Sequence, residues 1–258
     1  MRKVILLSFF LIAAFTVKAQ FKIGLTAYPQ LSSTSGFIPF KKNVVNNTNL
    51  PTLTGGGGIV AVYDSRRKPI GAQLGITYSG HNQSFRYNYT IGGEKYSHQG
   101  KKRFDYVKFS LVGRKFWQVS KHARSVFFLG PQFSYLLKYD GGAVVYDEDR
   151  YFDLPATDQN IYYKKYSIDA VIGWGIDYAV HRNIDLFAAI KIDYGLNNIE
   201  QPNLYYNDVK VFEKGGTHQM ACALTVGAYY VFNRPDHLLL PTNSWRFRDY
   251  KNRKYKKK

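Results

Sequence analysis

From Phe21 onward the chain repeats one pattern: apolar residues recur at every second position, and polar stretches separate the runs. A period of two is the signature of β-strands, whose successive side chains point to opposite faces. Ile184 to Tyr194 shows it most clearly. One face carries Ile184, Leu186, Ala188, Ile190, Ile192 and Tyr194, and the other carries Asp185, Phe187, Ala189, Lys191 and Asp193. In Tyr166–Val180, Ile168, Ala170, Ile172, Trp174, Ile176 and Tyr178 lie opposite Asp169, Gly173, Gly175 and Asp177. Met220 to Phe232 alternates in the same way. In Asp105–Trp117, Val107, Phe109 and Leu111 lie opposite Lys108, Ser110 and Arg114. Phe21–Tyr28 and Ile70–Ser79 also alternate, Ser125–Leu137 is apolar on both faces, and Gly55–Tyr63 is a weaker, glycine-rich strand. The pattern predicts eight strands.

The connectors between these segments alternate in length. Asp64–Pro69, Gln118–Arg124 and His181–Asn183 are short, whereas Pro29–Thr54, Gly80–Arg103, Lys138–Lys165 and Gly195–Gly216 each exceed twenty residues. Short turns at one end and long loops at the other are the layout of an outer-membrane barrel. The polarity of the faces agrees with it. A soluble barrel turns its apolar face inward, but here the opposite face carries Lys108, Arg114, Asp169, Asp177, Asp185, Lys191 and Asp193. An eight-stranded interior is only wide enough for side chains, so charges of both signs there must pair or be hydrated. An apolar outer face would be an aggregation hazard in water and is at home in lipid. Tyr78, Trp117, Tyr178, Tyr194 and Tyr230 lie near strand ends, where interfacial aromatics belong. The expected fold is all-β: an eight-stranded antiparallel transmembrane up-and-down barrel with short periplasmic turns and long extracellular loops. Short alternating stretches at Phe85–Ile91 and Leu204–Phe212 leave open hairpins above the membrane, or ten strands.

The first residues read as an export signal. Arg2 and Lys3 precede an apolar run from Val4 to Phe15, and Val17-Lys18-Ala19 offers small residues at the −3 and −1 positions of a cut after Ala19. Residues 1–19 are thus expected to be a cleaved signal peptide, 20–232 the barrel and 233–258 a basic periplasmic tail. Removal of Arg2, Lys3 and Lys18 takes the formal charge from +18 to +15. A single cysteine, Cys222, excludes a disulfide framework, a cysteine-based zinc site and a lipidated N-terminus. An apolar fraction of 45% with abundant aromatics argues against a disordered chain.

Four segments resemble a known family. FDYVKFSLVGRKFW (Phe104 to Trp117), FFLGPQFSYLLKY (Phe127 to Tyr139), Tyr166 to Ile199 and ALTVGAYYVF (Ala223 to Phe232) look like the PorT-like outer-membrane β-barrel proteins of Bacteroidetes. The Gly130-Pro131 pair, Gly173-x-Gly175 and the exit Tyr194-Gly195-Leu196-Asn197-Asn198 carry the likeness. The resemblance implies residence in the outer membrane among its lipids and lipopolysaccharide. It also implies insertion by the outer-membrane assembly machinery, with Phe232 as the terminal aromatic signal, and for some relatives a place in type IX secretion.

Candidate chemistry is sparse. No two histidines stand at metal-ligand spacing. His81 with Ser84 and His98 with Ser97 are the loop pairs that a rim hydrolase would need. Gly55–Gly58 lacks the Gly-Lys-Ser/Thr of a phosphate loop. The acidic loop Asp140, Asp147, Glu148, Asp149, Asp153 and Asp158 lacks the calcium-loop pattern. The reading is of a non-enzymatic barrel without cofactor or metal, whose interior charges plug the lumen. Its tail (Trp245, Arg246, Arg248, Lys251, Arg253 and Lys254) mixes basic and aromatic residues. That mixture suits nucleic acid elsewhere, but a periplasmic tail would meet lipid headgroups, cell wall or secretion-complex proteins. The alternatives are a barrel binding or transporting a small solute or lipid, and a rim enzyme acting on lipid.

Overall fold

The computed structural model describes residues 19–35, 44–65, 68–91, 93–120, 122–141, 143–147, 150–154, 163–181, 183–200, 205–206, 209–210 and 217–232. The leader through Lys18 and the tail from Asn233, including its named basic and aromatic residues, lie outside them.

Eight strands close into a barrel: β1 (Ala19–Ser35), β2 (Val44–Ser65), β3 (Ile70–Ile91), β4 (Glu94–Gln118), β5 (Ala123–Asp140), β8 (Tyr166–His181), β9 (Ile184–Gly195) and β12 (His218–Phe232). Each pairs antiparallel with its sequence neighbour in the barrel, and β12 returns to β1, with Phe21 opposite Phe232 and Ser35 opposite His218. Closure leaves no free edge within the membrane, where an unpaired backbone group could find no water. Two small hairpins stand outside the barrel, β6 (Ala143–Asp147) with β7 (Arg150–Leu154) and β10 (Tyr205–Tyr206) with β11 (Val209–Lys210).

The alternation is inverted relative to a soluble protein. Leu25, Ile59, Leu74, Ile76, Leu111, Trp174, Ile190 and Leu224 are more than half exposed. Lys22, Asp64, Lys108, Arg114, Asp169, Asp177, Asp185 and Asp193 are buried inside. The apolar exterior forms a belt. Ile184 to Tyr194, at about 3.3 Å per residue and a tilt of about 40°, rises roughly 25 Å, the height of the lipid-facing band in such barrels. Trp117, Tyr178 and Tyr230 mark its short-turn rim, and Tyr78 and Tyr194 its opposite rim, all outward and exposed.

The structure corrects the expected loops. Much of Pro29–Thr54 and nearly all of Gly80–Arg103 is strand: β1 continues to Ser35, β2 starts at Val44, and β3 and β4 pair without interruption from Ile70↔Lys115 to Ile91↔Glu94. Gly93, at φ 90°, serves the turn that joins these two strands. Above the membrane both faces of a strand can meet water, so the hydrophobic contrast that reveals strands in the belt fades. The Phe85–Ile91 stretch therefore lies inside β3, and Leu204–Phe212 holds the β10–β11 hairpin. The barrel has eight strands, not ten.

Inward glycines make room for large rings. A Cβ on Gly173 would lie 2.2 Å from Cζ of Phe128, its partner on the neighbouring strand, whose ring lies over the inner wall in that space. The Gly173-x-Gly175 motif is thus a packing device on the inner wall, with Gly175 backed closely by Ala189.

Candidate functional site

The lumen is filled in layers. Nearest the short turns lies an ionic cluster from six strands. Lys22 of β1 contacts Asp64 (3.3 Å), Asp177 (2.9 Å) and Asp185 (2.9 Å). Arg114 of β4 donates to both carboxylate oxygens of Asp177, at 3.2 and 3.1 Å. Arg124 of β5 reaches Asp177 at 2.9 Å and Asp64 at 3.2 Å. Three cations face three carboxylates, so the cluster is neutral. That balance makes it tolerable in a dry interior, where an unmatched charge is costly. Aromatic faces flank it: Lys22 lies 5.8 Å from the Tyr229 ring centroid and Arg124 5.0 Å from that of Phe116.

Above it an apolar layer crosses the lumen: Val60, Val62, Val112, Val126, Phe128, Val171, Phe187 and Ala189. A cavity of about 40 Å³ lies here, lined in part by Tyr28, Thr77, Gln132, Phe187 and Lys191. It has room for a few water molecules.

A second neutral cluster follows. Lys108 donates to Asp193 at 3.1 Å, and Lys191 meets the same carboxylate at 3.1 Å. Asp169 accepts from Gln132 (3.0 Å), Ser167 (2.7 Å) and Ser134. Lys191 also sits over the Tyr28 ring, 4.6 Å from its centroid.

At the long-loop end an aromatic cap covers the lumen. Phe104, Tyr139 and Tyr163 pack with ring centroids 4.7–5.0 Å apart. Residues between strands complete it: Tyr163 bridges Glu200, Lys164 N–H donates to Ile199 C=O, and Ile199 N–H to Thr217 C=O. Buried among the rings, Lys102 donates to the Tyr163 hydroxyl at 3.0 Å. Lys102 lies beyond the membrane-spanning part of β4, and burial pushes its ammonium down to about 7, with Glu200 opposing the shift. Burial in turn raises the carboxyl of Glu200, which accepts from Thr217.

All seven interior charges named from the sequence face the lumen, but in two separate groups. Arg114, Asp177 and Asp185 belong to the lower cluster, and Lys108, Asp169, Lys191 and Asp193 to the upper one. Lys22, Asp64 and Arg124 were missed. Lys22 shares its face with Thr26 and Tyr28 in the first alternating segment, so that signal was available. Asp64 and Arg124 fall in stretches that read as tight turns, where an exposed charge is unremarked; in the structure β2 runs to Ser65 and β5 starts at Ala123. Phe232 ends β12, faces outward and lies 5.8 Å from the ring of Phe21. The loop pair His81 and Ser84 does not converge: His81 is buried inside, 5.7 Å from the Tyr106 ring, while Ser84 bonds Thr52 across the sheet. Ser97 is exposed on β4, and the side chain of His98 lies outside the described residues. Asp147 and Asp153 stand in the β6–β7 hairpin, and Glu148, Asp149 and Asp158 lie outside the described residues.

A closed antiparallel barrel with a lipid-facing exterior and a charged, plugged interior is an integral outer-membrane β-barrel protein. The chain belongs to the outer membrane protein beta-barrel domain family, which it matches over residues 16–201. No curated protein sequence matches it. Among solved structures it is similar to Neisserial surface protein A (NspA): 14% identity, TM-score 0.41, 82% of this chain and 97% of that one covered. It is also similar to OprG of Pseudomonas aeruginosa (12%, 0.41, 84% and 97%) and to Ail, the attachment invasion locus protein of Yersinia pestis (10%, 0.38, 83% and 99%).

Proposed function

We propose that this barrel is a non-enzymatic scaffold of the outer membrane, of the PorT-like type, exported by a cleaved leader and associated with type IX secretion. The observation that carries the reading is the plugged lumen. Two charge-balanced clusters, an apolar layer and an aromatic cap occupy it, and the cavity at the apolar layer, about 40 Å³, is far below the roughly 300–1,000 Å³ of a small-molecule site. This favours a scaffold over a carrier of solutes or lipids. A barrel that does not conduct offers its two ends to other molecules. One end is the raised β2–β4 sheet. At the other the sequence runs on through Asn233–Lys258, with nine Lys or Arg against two Asp. In the periplasm such a segment attracts acidic proteins or anionic headgroups.

The test is affinity capture from outer membranes in mild detergent, comparing the full chain with one ending at Asn233. A discrete set of periplasmic or secretion-complex proteins, lost with the tail, is the expected result. Capture of the same set by both chains, or of none by either, overturns the docking role. Steady open-channel conductance in a planar bilayer would overturn the plugged-lumen premise.

A further inference from the structure

Three cations stand at one height on neighbouring strands, just above the apolar belt at the long-loop rim. Arg103 is on β4, Lys138 is on β5 and Lys165 immediately precedes β8; all three are exposed. The β4–β5 ladder sets Asp105 opposite Lys138 and Arg103 opposite Asp140. Leu136 N–H donates to the Lys165 carbonyl at 2.7 Å, and Tyr135 pairs with Tyr166. With strands about 4.8 Å apart and residues about 3.3 Å apart along each, Lys138 falls within roughly 10 Å of both Arg103 and Lys165, and the outer two lie about 14 Å apart.

A β-bulge creates the arrangement. The register slips between Asp105 and Tyr106, so β5 carries an extra residue there. Leu137 and Lys138 both face outward in consequence, while Leu136 and Tyr139 on either side are buried. Without the extra residue Lys138 would share the inward face of Leu136. Directly below the cations lie Tyr78, Tyr135, Leu137 and Tyr166, 39–60% exposed on the outer wall. Arg103 donates to Asp105 at 3.1 Å, and 58% of its side chain stays open. The acidic neighbours are Asp105, largely covered, and Asp140, exposed; Lys101 adds a further exposed cation.

We propose that Arg103, Lys138 and Lys165 bind the phosphate groups of a phosphorylated glycolipid of the outer leaflet, whose acyl chains lie along Tyr78, Tyr135, Leu137 and Tyr166. Charge and height together select this ligand. Clustered cations suit phosphate oxygens, and their place immediately above an apolar, aromatic wall is where headgroup phosphates sit over their own hydrocarbon. A soluble polyanion would make no use of that wall.

The test uses the full chain in uncharged detergent micelles and native mass spectrometry with diphosphoryl lipid A or its dephosphorylated form. Variants are Arg103→Gln, Lys138→Gln, Lys165→Gln and the triple. Lys115→Gln, exposed on the same outer wall at the opposite rim, is the control. Electrophoretic mobility without boiling reports folding. Affinity is expected to fall about five-fold per substitution and on the order of a hundred-fold for the triple, with no change for Lys115→Gln. The dephosphorylated lipid should bind no better than lipid A binds the triple variant. Equal binding of both lipids, or an unchanged triple variant, overturns the proposal. So does displacement by dextran sulfate as effective as by free lipid A, which would assign the cations to a soluble polysaccharide. Should a variant fail to fold, the phosphate comparison on the intact chain still decides.

Discussion

Replacing Asp177 by Asn tests whether the lower cluster holds the barrel together by charge balance. Asp177 meets Lys22 at 2.9 Å, Arg114 at 3.1 Å and Arg124 at 2.9 Å, all essentially within the lumen. At an effective dielectric of about 20, each contact at about 3 Å is worth roughly 5 kcal/mol before desolvation is counted. Much of that sum offsets the cost of burying the carboxylate itself. The net effect of removing one partner from a buried ionic group is about 3–5 kcal/mol, because the opposing charge is left unmatched. In the variant, Asp64 and Asp185 alone face three cations, and the nearly isosteric amide leaves packing intact. The assay is urea unfolding in phosphatidylcholine vesicles, with the folded fraction read from mobility without boiling. Arg124→Gln in the same background should return part of the loss, since it restores neutrality, so the double variant should cost less than the sum of the two singles. A stability within about 0.5 kcal/mol of the intact chain for Asp177→Asn would refute the charge-balance argument.

The cap should loosen on acidification. Lys102 is held at about 7 against an ordinary 10.5, so the unfolded state binds more protons between those values, and this group's contribution to stability rises with pH across that window and is lowest below 7. Hydrogen exchange at the Lys164 and Ile199 amides, corrected for intrinsic rates, should be faster at pH 6 than at pH 9, and Lys102→Met should remove that trend; Glu200, whose carboxyl is raised, contributes with the opposite sign. Gly173→Ala would push a methyl to 2.2 Å from Phe128 and 2.8 Å from the Ile190 carbonyl, costing about 1–3 kcal/mol in the same urea assay. A parallel Phe128→Leu change should recover part of it. Ile190→Arg, mid-belt and 59% exposed to lipid, should cost about 2–4 kcal/mol in vesicles, and an unchanged midpoint would contradict the assigned facing.

Alternation alone determined the class of this protein. Where one face of a strand meets hydrocarbon and the other meets buried charge, the contrast at period two is large. Ile184–Tyr194 and Tyr166–Val180 therefore show which side faces lipid with no structure in hand, and the seven interior charges follow from the same parity. The alternation weakened wherever the contrast did. Above the membrane both faces of β3 and β4 can be polar, so the hairpin that ends at Gly93 reads in the sequence as a loop. At the short turns, Asp64 and Arg124 look like exposed turn residues until the strand ends are placed. Which charges meet is a matter of register and closure. Lys22 finds Asp177 across 155 residues of chain and Lys108 finds Asp193 across 85, distances over which local pattern carries no information. The bulge at Leu137 is the sharpest case. One extra residue reverses the facing of Lys138 and sets it beside Arg103 and Lys165, an arrangement decided by the pairing of two strands rather than by the order of residues in either.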